Sequence, residues 1–184
     1  MSLAITIVTT ANRTRRFFQT DPARVREVLE SLKRCGQLFS GHSLVIVADD
    51  TTEVFQPKAI TRIEVETQID LGPWLPPAWD EAGICALDPD DQTAAGSLDN
   101  EGLSSCMDFY FEGGDKLHAW IERRHEAGLV ERTSRLTHLF EKPCIPYRPL
   151  TPGVGFLNPA AMTRFTLGVA AAHPPAGTWH LSEA

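Results

Sequence analysis

Three side chains that can bind a transition metal recur in the second half of this 184-residue chain. They are His118, Glu122 and His125, whose spacing of i, i+4 and i+7 places them on one stripe of a helix. The sequence predicts such a helix, capped by Asp115 and running to about Gly128. Imidazole and carboxylate groups one turn apart can hold Zn²⁺ or Fe²⁺, and a water bound to the ion would be activated for hydrolysis.

The stripe does not complete a known metal motif. Glu-x-x-His occurs once, at residues 122–125, whereas di-iron bundles need it twice. The His-Glu-x-x-His signature of zinc proteases is absent, and further ligands would have to come from His138 or Cys144. The same residues also fit a helix flank in which Glu122 hydrogen-bonds one histidine. The sequence therefore predicts no cofactor, with Zn or Fe at His118, Glu122 and His125 as the alternative.

A second feature with chemical potential is a group of three arginines followed by two aromatic residues. It consists of Arg13, Arg15, Arg16, Phe17 and Phe18. Such side chains can contact phosphates and stack on bases. The chain has a net charge of −7, which repels a polyanion. A protein partner or self-association is therefore favoured over nucleic acid, and the alternative is a connector with solvated arginines.

The charge is unevenly distributed along the chain. Residues 1–62 and 116–184 each carry +3, whereas residues 63–115 carry −13 with no Lys or Arg. This acidic block has four interpretations, namely a solvated loop, an internal or intersubunit clamp on the basic segments, a docking surface, and a Ca²⁺ or Mg²⁺ site at Asp88, Asp90 and Asp91. The last lacks the glycine that an EF-hand needs at its sixth position.

The elements that would position these groups are clearest in residues 1–67. Ala4–Thr9, Ser43–Ala48, Glu53–Phe55 and Ile60–Thr67 predict strands, and Asn12–Gln19 predicts a connector. Asp21 and Pro22 predict the start of a helix that Gly36 ends in a left-handed turn. The resulting β-α-β-β-β unit has a sheet with one wet face, which indicates antiparallel pairing.

The remaining chain divides into an acidic irregular arm, residues 68–107, and a C-terminal part, residues 108–184. The C-terminal part predicts a short strand at Asp108–Phe111, two helices over residues 115–128 and 129–140, and a proline-rich extended strap. The fold class predicted is α+β, a small antiparallel sheet with the N-terminal helix on one face and a helical, irregular C-terminal half. The three parts are expected to form one domain overall.

Bulk composition restricts the classes of function. The chain is 42% hydrophobic and 22% charged, which is typical of a globular protein, and no apolar run is long enough to span a bilayer. Four scattered cysteines and no visible signal peptide predict a cytoplasmic protein with reduced thiols and no membrane partner. The leading functional hypothesis is a non-enzymatic binding or assembly module. The alternative is a metal-dependent, hydrolytic enzyme that uses His118, Glu122 and His125, and the sequence makes no prediction for a small-molecule ligand.

Overall fold

Strands dominate the folded chain. The structure, a computed structural model, describes residues 2–48, 51–76, 83–88, 97–98, 102–124, 137–168, 177–179 and 181–182. Within these ranges the chain forms one α-helix, α1 (Pro22–Leu32), and twelve strands numbered in chain order. The strands are β1 (Leu3–Thr9), β2 (Thr14–Gln19), β3 (Leu44–Ala48), β4 (Thr51–Phe55), β5 (Ile60–Glu66), β6 (Ile84–Ala86), β7 (Ser97–Leu98), β8 (Gly102–Phe111), β9 (Lys116–Arg124), β10 (Ile145–Tyr147), β11 (Gly153–Leu157) and β12 (Met162–Leu167).

The larger sheet contains five strands in the order β10-β11-β5-β1-β2. All of its neighbouring pairs are antiparallel, which confirms the pairing predicted from the alternation in β5. Strand β5 turns Ile63 and Val65 to one face, and Arg62 and Glu64 to the other. The strand order shows that the five-stranded sheet combines β1, β2 and β5 of the N-terminal part with β10 and β11 of the C-terminal part.

The second sheet contains four strands in the order β12-β8-β9-β6, with β7 paired to β8. Its central hairpin turns at Gly113 and Gly114, which both have positive φ. An isolated parallel bridge links β6 to Arg148, the residue after β10: Ala86 N–H donates to the Arg148 carbonyl at 2.7 Å, and Arg148 N–H donates to the Ile84 carbonyl at 2.9 Å. A third, two-stranded sheet is the hairpin β3–β4.

One face of the five-stranded sheet, here called the helix face, is covered by α1 and the β3–β4 hairpin. Asp21 caps α1 by accepting from Ala23 N–H at 2.8 Å and Arg24 N–H at 3.0 Å, which confirms the predicted helix start. The buried side chains of this layer form one hydrophobic cluster. Its members are Leu3, Ile7, Val25, Leu29, Leu32, Phe39, Ile60, Ile63, Val65, Leu71, Leu75, Cys144, Val154 and Phe156.

The opposite face, here called the sheet face, is covered by the four-stranded sheet. Three residues of the larger sheet, Ile145, Tyr147 and Leu157, pack into the second hydrophobic cluster. The other members are Ile84, Met107, Phe109, Phe111, Leu117, Ala119, Ile121, Leu139, Ala161 and Met162.

A network of paired polar groups lies beside this second cluster. The Arg62 guanidinium donates to Glu64 at 2.7 Å and to Asp115 at 3.2 Å. Asp115 also accepts from the Thr61 hydroxyl at 2.9 Å, and the Tyr147 phenol donates to Glu64 at 2.5 Å. Burial and the charge of Glu64 hold the pKa of Tyr147 well above its ordinary value, so the phenol remains the donor.

The fully buried Tyr147 ring lies across Gly155 of the neighbouring strand. A Cβ atom at Gly155 would lie 2.2 Å from two ring atoms of Tyr147. Residue 155 is the cross-strand partner of both Tyr147 and Glu64, so the glycine leaves the space through which the phenol reaches the carboxylate.

The predicted α+β class, with its helical C-terminal half, is wrong. The protein is mostly antiparallel β, with one helix and isolated 3₁₀ turns in the described part of the chain. Residues 116–124, predicted as helix, form β9, because Leu117, Ala119 and Ile121 alternate inward and pair with β8. Leu117, Trp120, Ile121 and Arg124 form a stripe at helical spacing, whereas Leu117, Ala119 and Ile121 alternate as in a strand, and only the pairing selects the strand. Residues 125–136, which are the end of the first predicted helix and most of the second, lie outside the described ranges, and residues 137–141 form a 3₁₀ turn.

Three shorter predictions also need correction. The predicted connector before α1 contains strand β2, which pairs with β1 along six residues. The helix ends at Lys33, and Gly36 is not in the left-handed region. The proline-rich strap contributes strands β10 and β11 to the larger sheet. The predicted division into residues 1–67, 68–107 and 108–184 stays a prediction.

The acidic block contributes β6, β7 and β8, so the predicted irregular arm contains strands. Four of its carboxylates lie in ion pairs with basic residues outside it. These pairs are Arg16–Glu66, Arg62–Glu64, Arg62–Asp115 and Lys116–Asp108. Three of these pairs use Arg62 and Lys116, the residues that border the block, so the clamp interpretation stays a prediction. The structure contains no described helix that is long and apolar enough to cross a membrane.

Candidate functional site

A groove of about 700 Å³ opens between the hairpin, α1 and the helix face of the five-stranded sheet. Its floor is apolar and includes Leu3 and Ile5 of β1 and Ile63 and Val65 of β5. This volume lies in the range of about 300–1,000 Å³ that is usual for ligand sites in proteins. The groove is therefore the first candidate for a binding site.

One wall of the groove is a single face of α1. Arg24, Glu27, Val28 and Ser31 line it, at i, i+3, i+4 and i+7. The neighbouring stripe of α1, formed by Val25, Leu29 and Leu32, is buried in the hydrophobic cluster. The helix thus packs on the sheet with one stripe and faces the groove with the next.

The other wall is strand β3, which the rest of the hairpin holds in place. Arg15 on β2 forms an ion pair with Glu53 on β4. Phe17 and Phe55 contact each other edge to face, with ring centroids 6.2 Å apart and planes at 86°. The hairpin is therefore fastened to β2 through side chains of β4, and β3 lies next to the groove.

Strand β3 has an open edge. Among the residues that the structure describes, it pairs with β4 alone. Antiparallel pairing uses the backbone groups of alternate residues, so about half of the N–H and C=O groups of β3 have no partner in a sheet. All five residues of β3 line the groove, including Val45 and Val47, whose side chains are 55% and 68% exposed. The edge of the strand therefore borders the groove.

The polar groups of the groove suit binding better than catalysis. Its charged side chains are Arg16, Arg24 and Glu27, and Arg16 already pairs with Glu66 at 2.6 Å. No histidine, cysteine or aspartate occurs among the described residues that line it. These lining residues thus do not include the cysteine and histidine ligands that most zinc sites use.

A second cavity, of about 770 Å³, lies between residues 70–76 and 148–153. Its lining consists mostly of turns and includes Pro76, Pro149 and Pro152. Prolines lack a backbone N–H donor, and of the lining residues only Gly153, at the start of β11, belongs to a strand. It is therefore a weaker candidate than the groove.

Two of the three predicted metal ligands lie on the four-stranded sheet. His118 and Glu122 are on β9, whereas His125 lies outside the described residues. Four positions along a strand span about 13 Å, against about 6 Å on a helix, so His118 and Glu122 do not meet as the helical stripe required. The described chain contains no group of three His, Cys, Asp or Glu side chains that could hold a metal ion. Metal binding at His118, Glu122 and His125 stays a prediction, but the helix on which it rested is a strand at residues 116–124.

The partner of His118 in the structure is Asp108, which is its cross-strand neighbour. The imidazole Nδ1 lies 2.6 Å from an Asp108 oxygen, and the other oxygen contacts Lys116 at 3.0 Å and Tyr110 at 3.2 Å. Partial burial raises the pKa of Asp108, but hydrogen bonds from His118 and Lys116 outweigh it and leave that pKa below its ordinary value. Sequence spacing could not reveal the pair, because the two residues meet only through the β8–β9 register.

The remaining candidates are placed as follows. Arg15, Arg16, Phe17 and Phe18 of the basic-aromatic group lie on β2, where Arg15 and Arg16 are both in ion pairs. Asp88 is exposed just after β6, whereas Asp90 and Asp91 lie outside the described residues. Comparison of the chain with protein-family models, with curated proteins and with solved structures finds no match.

Proposed function

We propose that this chain is a non-enzymatic binding module that accepts an extended segment of a protein partner in the groove between β3 and α1. The observation that carries the proposal is the open edge of β3 beside an apolar floor. Strand addition of this kind uses backbone hydrogen bonds for affinity and alternate side chains for specificity. Both requirements have counterparts in the groove.

The dimensions and charges define the segment that fits. Five residues of β3 extend over about 17 Å, so a segment of about five residues pairs along the whole strand. Every second side chain of that segment points to the floor at Ile5 and Ile63, and is therefore apolar. Two arginines and one glutamate, Arg16, Arg24 and Glu27, line the groove, so acidic residues that flank the apolar ones speed association.

Self-association is the other form of assembly that the open edge permits. A second copy of the chain would use the edge of its own β3, with the two hairpins related by a two-fold axis. The partner segment is favoured because the groove continues behind β3 to α1, and pairing of two hairpin edges leaves its floor uncovered.

The alternative of a metal-dependent hydrolase at His118, Glu122 and His125 gains no support from the described residues. Metal analysis of the purified protein tests it, and stoichiometric Zn or Fe that is lost in His118→Ala would establish it. The four free cysteines favour a reducing compartment, so we place the module in the cytoplasm, which cell fractionation can test.

The binding experiment uses an array of short synthetic peptides as the probe. The array contains apolar residues at alternate positions, with acidic, basic or neutral flanks, and sequences of the same composition in which the apolar residues are adjacent. We expect the alternating, acidic-flanked peptides to bind, and proline at the positions that face β3 to abolish binding. Hydrogen exchange at the β3 amides should slow when such a peptide is bound.

Two matched variants separate the groove from the rest of the hairpin. Ile46→Glu places a charge at the groove, whereas Val54→Glu places one on the exposed outer face of β4. Affinity for the best peptide should fall at least tenfold in Ile46→Glu and stay within about twofold in Val54→Glu, with circular dichroism confirming that both are folded. An equal loss of peptide affinity in the two variants would reject the groove as the peptide site. So would a dimeric protein in which added peptide does not slow hydrogen exchange at the β3 amides.

A further inference from the structure

Two of the four cysteines, distant in sequence, lie side by side in the fold. Cys35 follows α1 in a 3₁₀ turn, and Cys144 directly precedes β10. Cys35 packs against the hydrophobic cluster of the helix face, of which Cys144 is a member. The adjoining residues also approach closely, because a Cβ atom at Gly36 would lie 3.7 Å from the side-chain Cγ of Pro143. The two chain segments that carry these thiols are therefore neighbours in the fold.

The two thiols have different environments. Cys35 is half-buried, whereas Cys144 is buried in the hydrophobic cluster of the helix face. The neighbouring Cys144 thiol lowers the pKa of Cys35, whereas Cys35 and burial raise the pKa of Cys144. A thiolate is the reactive form of cysteine, so the half-buried Cys35 is better suited than the buried Cys144 to act as a nucleophile.

We propose that Cys35 and Cys144 form a reversible disulfide, with Cys35 as the attacking residue and Cys144 as the resolving one. With hydrogen peroxide as oxidant, the Cys35 thiolate displaces hydroxide from the peroxide and becomes a sulfenic acid. The Cys144 sulfur then attacks the Cys35 sulfur, and the departing hydroxyl leaves as water with the Cys144 proton. The two sulfurs are oxidised, the peroxide is reduced to water, and a dithiol restores both thiols by exchange.

The bond would join the end of α1 to the first residue before β10, and so tie the covering layer to the sheet beneath it. It would close a long loop of the chain, which restricts the unfolded state. This inference does not depend on the proposed peptide binding, because it concerns only the contact between the two thiols.

The other two cysteines provide the control. Cys85 and Cys106 are the cross-strand partners of Trp120 on its two sides, so one strand separates them. That arrangement places their backbones about 10 Å apart, beyond the reach of a disulfide. Oxidation of the folded protein should therefore leave these two thiols free.

The test exposes the full-length folded protein to hydrogen peroxide and maps its cysteines by mass spectrometry under non-reducing conditions. We expect the mass to fall by two hydrogen atoms, the number of free thiols to fall from four to two, and a single cross-linked peptide that joins Cys35 to Cys144. Reduction with dithiothreitol should restore the original mass. A map without this cross-link, or with Cys85 or Cys106 in the bond, would overturn the proposal.

Variants assign the two roles. Cys144→Ser should accumulate sulfenic acid at Cys35, detected as a dimedone adduct, whereas Cys35→Ser should give no adduct at Cys144. In the wild-type protein, the rate of Cys35 alkylation by iodoacetamide should rise with pH with a midpoint below the ordinary thiol value of about 8.5. The wild-type map decides the proposal even if a variant does not fold. A midpoint at the ordinary value of about 8.5 would contradict the assignment of Cys35 as the nucleophile.

Discussion

The two faces of the five-stranded sheet are covered to different degrees. On the sheet face, Tyr147 lies across Gly155 without space for a Cβ atom, and the neighbouring Arg62, Glu64 and Asp115 are paired. On the helix face, the hairpin is fastened at β4, and a groove of about 700 Å³ remains between β3 and α1. The same strands therefore support a tightly packed interface on one side and an open groove on the other.

This difference follows from what covers each face. A second sheet presents many alternating side chains to the sheet face and can fill it continuously. A single helix and a two-stranded hairpin leave a gap where they do not contact each other. The comparison predicts that substitutions on the sheet face act mainly on stability, whereas those at the groove act mainly on binding.

The largest effect is expected for Gly155→Ala. The new Cβ atom would overlap the buried Tyr147 ring, so the free energy of unfolding should fall by about 3 kcal/mol, as measured by urea denaturation. Gly36→Ala is the control, because its Cβ atom meets Pro143 at an ordinary 3.7 Å, and should change stability by less than about 0.5 kcal/mol. Similar losses in both variants would show that the sheet face is not tightly packed.

A smaller effect is expected for Asp115→Ala. The change removes a buried carboxylate that accepts from Thr61 and Arg62, while Arg62 keeps Glu64 as a partner. Unfolding free energy should fall by about 2 kcal/mol. Glu30→Ala, which removes the exposed pair with Lys33, serves as the comparison and should cost less than about 0.5 kcal/mol. If the two variants are equally stable, the buried network contributes nothing beyond a surface pair.

The smallest effect is expected for Asp108→Asn, on the outer face of the four-stranded sheet. At pH 7 the unfolding free energy should fall by about 1 kcal/mol, because His118 and Lys116 lose a charged partner. The folded-state pKa of Asp108 is depressed, so its contribution is present above the unfolded pKa of about 3.9 and lost as pH falls through the folded pKa.

The measurement for this variant is urea denaturation between pH 7 and pH 2. The difference from the wild type should disappear at the acidic end. Glu112→Gln, which changes an exposed carboxylate in the turn between β8 and β9, is the control and should follow the wild type throughout. A difference between Asp108→Asn and the wild type that persists at pH 2 would mean that the lost interaction is not electrostatic.

Parts of the fold could be predicted because their signals are local. Asp21 and Pro22 start α1 by capping chemistry, and the alternation of Ile63 and Val65 establishes β5. The absence of alternation in β3, Leu44-Val-Ile-Val-Ala48, was a signal for the candidate site, because apolar side chains on both faces of a surface strand are unusual. That signal identified neither the open edge nor the helix opposite it.

Other parts could not be predicted because they depend on contacts between distant segments. Residues 117–124 carry a helical stripe, Leu117, Trp120, Ile121 and Arg124, as well as the strand-like alternation of Leu117, Ala119 and Ile121, and only pairing with β8 decided between them. That pairing separated His118 from Glu122 and placed His118 against Asp108. The contact between Cys35 and Cys144 is of the same kind, since neither residue has a motif around it.

The sequence by itself determined the N-terminal helix, the antiparallel pairing of β5 and the division of the chain into basic, acidic and basic segments. Capping, period-two patterning and composition are properties of neighbouring residues, so a sequence shows them directly. Only the tertiary structure decided which acidic residues are neutralised, which strand edge stays open and which cysteines meet. The physical reason is that strand register and layer packing join residues far apart in the chain, and no local pattern encodes which of them become neighbours.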